Sequence, residues 1–273
     1  MTDAEQQKQG IAGLFDRLAP TYDNVGVDYF TVFAQRLVDR VALKPGDRVL
    51  DAGCGRGAAT FAAAAAVGPE GRVTALDISP GMVERTAADA RDRGLGNVEV
   101  RLGDAEAPEV EGPLDAVLSA LVIFFLPDPT AALTAYRGLL RDGGRLGLTT
   151  FPPQPRTRWS AIGQVLERFL PEAVTARPDT GPLASPEALV ETLRAVGFAE
   201  VTQETETYEA TFRDLDHWWE WAWSQGQRFA LERVPADRLD EVHAELYDLL
   251  RPGAEPDGSL RLPQQITYTV ATV

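Results

Sequence analysis

The sequence predicts an α/β fold built on a parallel sheet, and three observations predict it. From 41 to 150, short β-rich runs alternate with helical stretches, the pattern of βαβ units. Inside that stretch a glycine-rich turn, VLDAGCGRG over 49–57, leaves one β-rich run and opens an alanine-rich helical one. The first three strand-like runs each end on or beside an aspartate, Asp51, Asp77 and Asp104. That is the edge at which open α/β sheets bind their ligands.

Taken in order, the elements begin with a segment over 1–40, read as a helical lid. Its opening, MTDAEQQKQG, has no basic stretch leading into an apolar one and is not expected to be a secretory signal. The aromatic residues Phe15, Tyr22, Tyr29, Phe30 and Phe33 fit a cover that orders over a ligand. Strands are expected over 48–52, 72–77, 98–103, 115–120 and 145–151, each short and β-branched or leucine-rich, as strands covered on both faces are. The helix after the second strand starts at Ser79-Pro80 and stops near Gly94, an N-cap with a first-turn proline and a glycine end. The apolar run over 116–126 is shorter than the ~20 residues of a membrane-spanning helix, and it reads as a buried strand. The core domain thus spans 41–151.

Beyond it, FPPQPRTRW over 151–159 is proline-dense and forms a loop. Helices are expected over 159–170 and 186–196, the second opened by Ser185-Pro186-Glu187 and ended by Gly197. A strand over 200–210, helices over 214–231 and 236–250, and a last strand over 265–273 complete the chain. The segment 152–273 therefore supplies further strands and an inserted helical cap.

Composition narrows the function. Lys and Arg number 26 against 41 Asp and Glu, a net charge of −15 over 273 residues, with no basic stripe. Such a surface repels nucleic acid and anionic membranes. One cysteine, Cys54, and two histidines, His217 and His243, supply neither an internal disulfide nor a Cys/His metal cluster. A cytoplasmic protein without a bound metal is expected.

The glycine turn carries the chemistry. Gly53, Gly55 and Gly57 allow a sharp turn and close approach of a ligand to the backbone. Gly53, Gly55 and Ala58 also satisfy the relaxed dinucleotide pattern G-x-G-x-x-A, so the glycines alone do not choose the cofactor. Asp51 favours one choice. A carboxylate two residues before the first glycine would repel a pyrophosphate but pair with the ammonium of a methionine moiety, which points to S-adenosyl-L-methionine over NAD. Asp77 stands where a carboxylate accepts from both ribose hydroxyls. Ile78 and Met82 offer apolar surface to an adenine, and Asp104 an acceptor for its amino group. Each aspartate taken singly could as well cap the following helix.

Together, FDRLAPTYD over 15–23, VLDAGCGRG, VTALDISPGMV over 73–83, LGDAE over 102–106 and LSALVIFFLPDP over 118–129 resemble the class I S-adenosylmethionine-dependent methyltransferases. Within that class the chain is similar to the ubiquinone/menaquinone C-methyltransferases and to bacterial small-molecule methyltransferases. The resemblance implies a Rossmann-like seven-stranded sheet of order 3-2-1-4-5-7-6 with the last strand antiparallel. It implies that Asp51, Gly53, Cys54 and Gly55 surround the methionine part, Asp77 the ribose, and Ile78, Met82, Asp104 and Ala105 the adenine. Ser119 would form the floor near the sulfonium, and Tyr22 would fold over the cofactor.

On the acceptor side, His217 is the candidate general base, with helix packing as its other reading, and His243 falls on a charged, solvated helix face. Trp218, Trp219, Trp221 and Trp223 circle most of one helix, so some face a pocket or anchor the cap. Arg156 and Arg158 could meet an anionic acceptor. The expected function is methyl transfer to oxygen, carbon or nitrogen of a small apolar or aromatic metabolite in specialised biosynthesis, with a small-molecule acceptor as partner and a homodimer possible. A methyltransferase-fold protein catalysing a non-methylating step such as cyclisation, and an NAD(P)-dependent oxidoreductase, stay open as alternatives.

Overall fold

The computed structural model describes residues 2–152, 157–170 and 181–273. Seven strands form one sheet in the order β3-β2-β1-β4-β5-β7-β6: β1 Arg48–Ala52, β2 Arg72–Asp77, β3 Val98–Leu102, β4 Leu114–Ala120, β5 Leu140–Thr150, β6 Glu200–Phe212 and β7 Leu260–Thr272. The first five run parallel, and β7 is antiparallel to β5 and β6. The helices are α1 Asp3–Leu18, α2 Phe30–Val41, α3 Ala58–Val67, α4 Pro80–Asp92, α5 Pro129–Leu139, α6 Arg158–Glu167, α7 Pro186–Ala195, α8 Leu215–Trp223, α9 Arg228–Leu231 and α10 Leu239–Leu250.

Alternation along the strands divides the core in two. Val49, Val73, Ala116 and Leu118 face one side, against Phe33, Leu37 and Val41 of α2 and Ala63 and Val67 of α3. Leu50, Leu76, Val117 and Leu148 face the other, against Leu133 and Tyr136 of α5 and Leu189 and Leu193 of α7. Each buried valine, leucine or phenylalanine among them stabilises the fold by about 1.5–3 kcal/mol relative to exposure. The helices begin as the sequence directs. Ser79, Asp128 and Ser185 each accept a backbone N–H as N-cap, ahead of a first-turn proline. Gly147 lets α2 close on β5, since a Cβ there would lie 2.4 Å from Val41 Cγ2.

Four expectations need correction. The apolar run over 116–126 is a strand only as far as Ala120. Leu121 turns with φ +58°, its N–H donating to Thr149 Oγ1 at 2.9 Å, and Ile123–Phe125 form a 3-10 turn over the sheet's carboxyl edge. The helix expected over 214–231 breaks at Ser224-Gln225-Gly226, because Ser224 folds back on the Trp221 carbonyl oxygen through both N–H and hydroxyl. The last strand starts at Leu260 and includes Pro263. The proline is tolerated because β7 pairs with β5 only from Thr267 onward, so its earlier half needs no donor on that side. Finally, of the segment 1–40, α1 lies over the carboxyl edge, whereas α2 is built into the core.

Candidate cofactor and acceptor site

β1 delivers Asp51, fully buried, to the carboxyl edge. Its Oδ2 accepts from the Thr60 hydroxyl at 2.6 Å, and its Oδ1 is buried with no partner. Burial pushes this carboxyl up to about 7; the Thr60 hydrogen bond opposes the shift, and the charge of Asp77 adds to it. The turn that follows needs glycine: φ is +82° at Gly53 and +50° at Gly55, and a Cβ at Gly53 would stand 2.6 Å from the Val122 methyls. The Gly53 and Cys54 N–H groups both donate to the Leu76 carbonyl oxygen at 2.8 Å, which ties the turn to the end of β2. Cys54 is buried beside it, its thiol pushed up by burial and the neighbouring carboxylates.

At that end Asp77 accepts from Gly55 N at 2.8 Å through Oδ2 and from Ser79 N at 2.9 Å through Oδ1. Burial raises its pKa, and these backbone bonds counter the rise. Each oxygen keeps a second lone pair for a hydroxyl donor. Ile78 is half-buried at the start of α4. Met82 is fully buried against Leu14, Leu18 and Ala19, so it seats α1 on α4. Gly103 N donates to the Asp77 carbonyl oxygen at 2.9 Å and brings β3's end alongside. There Asp104 Oδ1 accepts from Glu106 N at 2.8 Å, and the buried Ala105 carbonyl accepts from the Tyr136 hydroxyl at 2.7 Å. Ser119 follows Leu118, the residue paired with Asp51, and its hydroxyl is buried beside that of Tyr136.

Helix α1 covers this edge by polar contacts at three points. Lys8 Nζ reaches Asp104 Oδ2 and Glu106 Oε1, each at 2.7 Å. Asp16 accepts from Gly81 N at 2.9 Å and from the Ser79 hydroxyl. Arg56 donates to the Ala19 carbonyl at 2.9 Å and pairs with Asp89. Tyr22 then lies beside the glycine turn, 3.9 Å from where a Gly55 Cβ would stand. Its ring stacks on Phe30 with centroids 4.8 Å apart and meets Phe15 edge-on at 5.9 Å, and Phe15 meets Phe125 at 5.3 Å.

The structure therefore brings Tyr22, Asp51, Gly53, Cys54, Gly55, Asp77, Ile78, Asp104, Ala105 and Ser119 to one edge. His217 is placed differently. Its Nδ1 accepts from Arg213 N at 3.1 Å and its Nε2 lies 2.6 Å from the Val25 carbonyl oxygen. A backbone N–H can only donate and a carbonyl only accept, so the ring is the neutral Nε2–H tautomer. Both ring nitrogens hold backbone together, and neither is left to take a proton from a substrate. His243, expected on a solvated face, is half-buried between the rings of Trp219 and Tyr247. Trp218 and Trp221 are buried anchors of α8. The Arg158 guanidinium rests on Gly253, and Arg156 lies outside the described residues. Sequence reading missed Lys8, Asp16 and Thr60, which become site residues only through contacts 9 to 98 positions away.

The residues fit S-adenosylmethionine. A buried carboxylate oxygen lacking a partner suits an ammonium, glycine backbone admits close approach, and Asp77 retains acceptors for ribose hydroxyls. A family model described as a methyltransferase domain matches residues 43–210. Nocamycin O-methyltransferase of Saccharothrix syringae is 42% identical, over 95% of this chain and 96% of its own. Aklanonic acid methyltransferase DauC of Streptomyces sp. strain C5 is 39% identical, over 75% of this chain and 98% of its own. Among solved structures, phosphoethanolamine N-methyltransferase 2 of Haemonchus contortus in complex with S-adenosyl-L-methionine shares the fold, with a TM-score of 0.56 at 18% identity over 88% of this chain and 51% of that one. A carboxyl-edge site of this chemistry, on this strand order, under a family model covering more than half the sequence, leads to one conclusion: the chain belongs to the S-adenosylmethionine-dependent methyltransferases of the seven-stranded α/β class.

Proposed function

We propose that this methyltransferase acts on an oxygen of a small, planar, oxygen-rich metabolite in specialised biosynthesis. The observation that carries the reading is end-to-end similarity to nocamycin O-methyltransferase, supported by a second relative that acts on aklanonic acid. Bound S-adenosylmethionine supplies a methyl group already activated on a sulfonium. The chain's own task is to align the acceptor and keep water out. Asp51 holds the ammonium, Asp77 the ribose, and Ile78, Asp104 and Ala105 the adenine. Phe15, Tyr22, Phe30 and Phe125 form an apolar aromatic wall suited to a flat acceptor. An acidic oxygen, ionised at neutral pH, needs no protein base, which agrees with a His217 whose nitrogens are both engaged.

The net charge of −15 supports a small-molecule acceptor with no nucleic-acid or membrane partner, and the single buried cysteine supports a cytoplasmic setting. No helix among the described residues is long and apolar enough to cross a membrane. Incubation with S-adenosylmethionine and aklanonic acid tests the reading. It predicts the mass gain of one methyl group, located on oxygen by NMR. Methylation at carbon or nitrogen, or a rearranged product of unchanged mass, contradicts it.

A further inference from the structure

Among the described residues, the buried polar atoms left without a partner include Asp51 Oδ1 at the cofactor end of the site, Arg56 Nε beside α1, and Trp218 Nε1 and the Tyr268 hydroxyl within the packed core. Another is Gln225 Nε2, which lies next to the residue that approaches the aromatic wall. Gln225 lies in the turn between α8 and α9 and is 7% exposed. Its Oε1 accepts from Gln227 N at 3.2 Å. Because a backbone N–H can only donate, that bond fixes which end of the amide is oxygen. Both Nε2 hydrogens are thereby presented inside the protein without an acceptor. Native folds rarely keep such a donor unpaired, and one that persists calls for a reason.

The surroundings supply the reason. A Cβ on the next residue, Gly226, would lie 4.0 Å from Phe125 Cζ. Phe125 leads through Phe15 to Tyr22 and so to the glycine turn. Just beyond the turn, Phe229 packs on the α1 cluster of Leu14 and Leu18, and the Arg228 guanidinium donates to the Arg17 carbonyl at 3.1 Å. The Gln225–Gly226 turn therefore stands at the Phe125 end of the aromatic wall, held by α1 and by the Ile123–Phe125 turn. A flat molecule seated on those rings would meet it with its rim.

We infer that Gln225 recognises the methyl acceptor, its Nε2 donating a hydrogen bond to a carbonyl or carboxylate oxygen of that molecule. The inference rests on the proposed oxygen-rich acceptor and deepens it. A site built around a buried donor rejects compounds that leave the donor unpaired far more strongly than it rejects a change in apolar bulk. Gln225 thus sets which acceptors enter, while the aromatic wall sets their shape.

Two substitutions of similar length test this. Gln225→Met removes the donors, and Gln225→Glu keeps an oxygen for Gln227 N–H but turns the donating edge into an accepting one. The protein loaded with S-adenosylhomocysteine is titrated with aklanonic acid, read by quenching of its five tryptophans, and S-adenosylhomocysteine affinity and Tm are measured alongside. The expected result is unchanged cofactor-product affinity and Tm, with aklanonic acid affinity lowered about tenfold in Gln225→Met and at least as far in Gln225→Glu. Wild-type affinity in Gln225→Met overturns the inference while leaving the proposed acceptor intact. Failure of the wild-type protein to bind aklanonic acid overturns that acceptor reading and the inference with it. If cofactor-product affinity or Tm falls together with acceptor affinity in both variants, Gln225 is structural, and the inference is again overturned.

Discussion

Asp51 concentrates the chemistry of the site in one side chain. One oxygen is satisfied by Thr60 and the other is not, and the carboxyl is pushed up to about 7. A folded pKa above the ordinary 3.8 means that the folded chain holds a proton the unfolded chain has released. Stability from this group is therefore full below about pH 4 and falls as pH rises to about 7, by about 1.4 kcal/mol for each pH unit crossed between those two values. Asp51→Asn removes that dependence. The difference between wild type and variant in urea unfolding is predicted to grow in the variant's favour from about pH 4 to about pH 7 and then level; parallel curves would contradict the burial of a charge there. His217 behaves in the opposite way. Its two nitrogens join Arg213 to Val25, so His217→Leu should cost about 1–3 kcal/mol of stability and leave S-adenosylhomocysteine affinity within about twofold. Normal stability with lost turnover would instead make it a base. The aspartates were legible in the sequence because their chemistry is local to strand ends. His217 was not, because its partners are a carbonyl 192 positions away and an N–H whose direction only the α8 cap defines.

The element that covers the carboxyl edge is α1. It is held by Lys8 on Asp104 and Glu106, by Asp16 on the start of α4, and by the apolar seat of Leu14 and Leu18 on Met82. The Lys8 side chain is about a quarter exposed, so its ion pairs are discounted for solvent screening to ~1 kcal/mol or less. Lys8→Ala is predicted to raise amide exchange across 3–18 several-fold without shifting global Tm by more than a degree or two, and added salt should mimic it in the wild type. Unchanged exchange would show that the apolar seat alone holds the helix. The existence of α1 was readable from Phe15 and the FDRLAPTYD stretch in the family resemblance. Its attachment was not, since Lys8 and Asp16 look like ordinary helix-surface charges until the sheet edge lies beneath them. The strand misread over 116–126 has a similar cause: composition marks the run as buried, but only the Thr149 hydroxyl turns Leu121 out of the sheet.

For the whole molecule, alternation over 41–150 was enough to place five parallel strands, because β1, β2, β4 and β5 are buried on both faces and even the more exposed edge strand β3 carries its own punctuation. The remaining order followed from family resemblance, since β6 and β7 form a 13-residue ribbon whose partner is chosen by contacts across the chain. The two-sided core, the carboxyl-edge site and the acidic surface together describe a methyltransferase that takes a positively charged cofactor and a small acceptor. The unpaired oxygen of Asp51 is suited to an ammonium and unsuited to a pyrophosphate, and the cofactor preference is assigned to it. Calorimetric titration of the wild-type protein and Asp51→Asn with S-adenosylmethionine, S-adenosylhomocysteine and NAD at about pH 7.5 tests this most directly. Micromolar binding of the first two by the wild type, no binding of NAD, and at least about tenfold weaker binding by the variant are predicted. Binding of NAD, or equal affinity in the variant, would contradict the account.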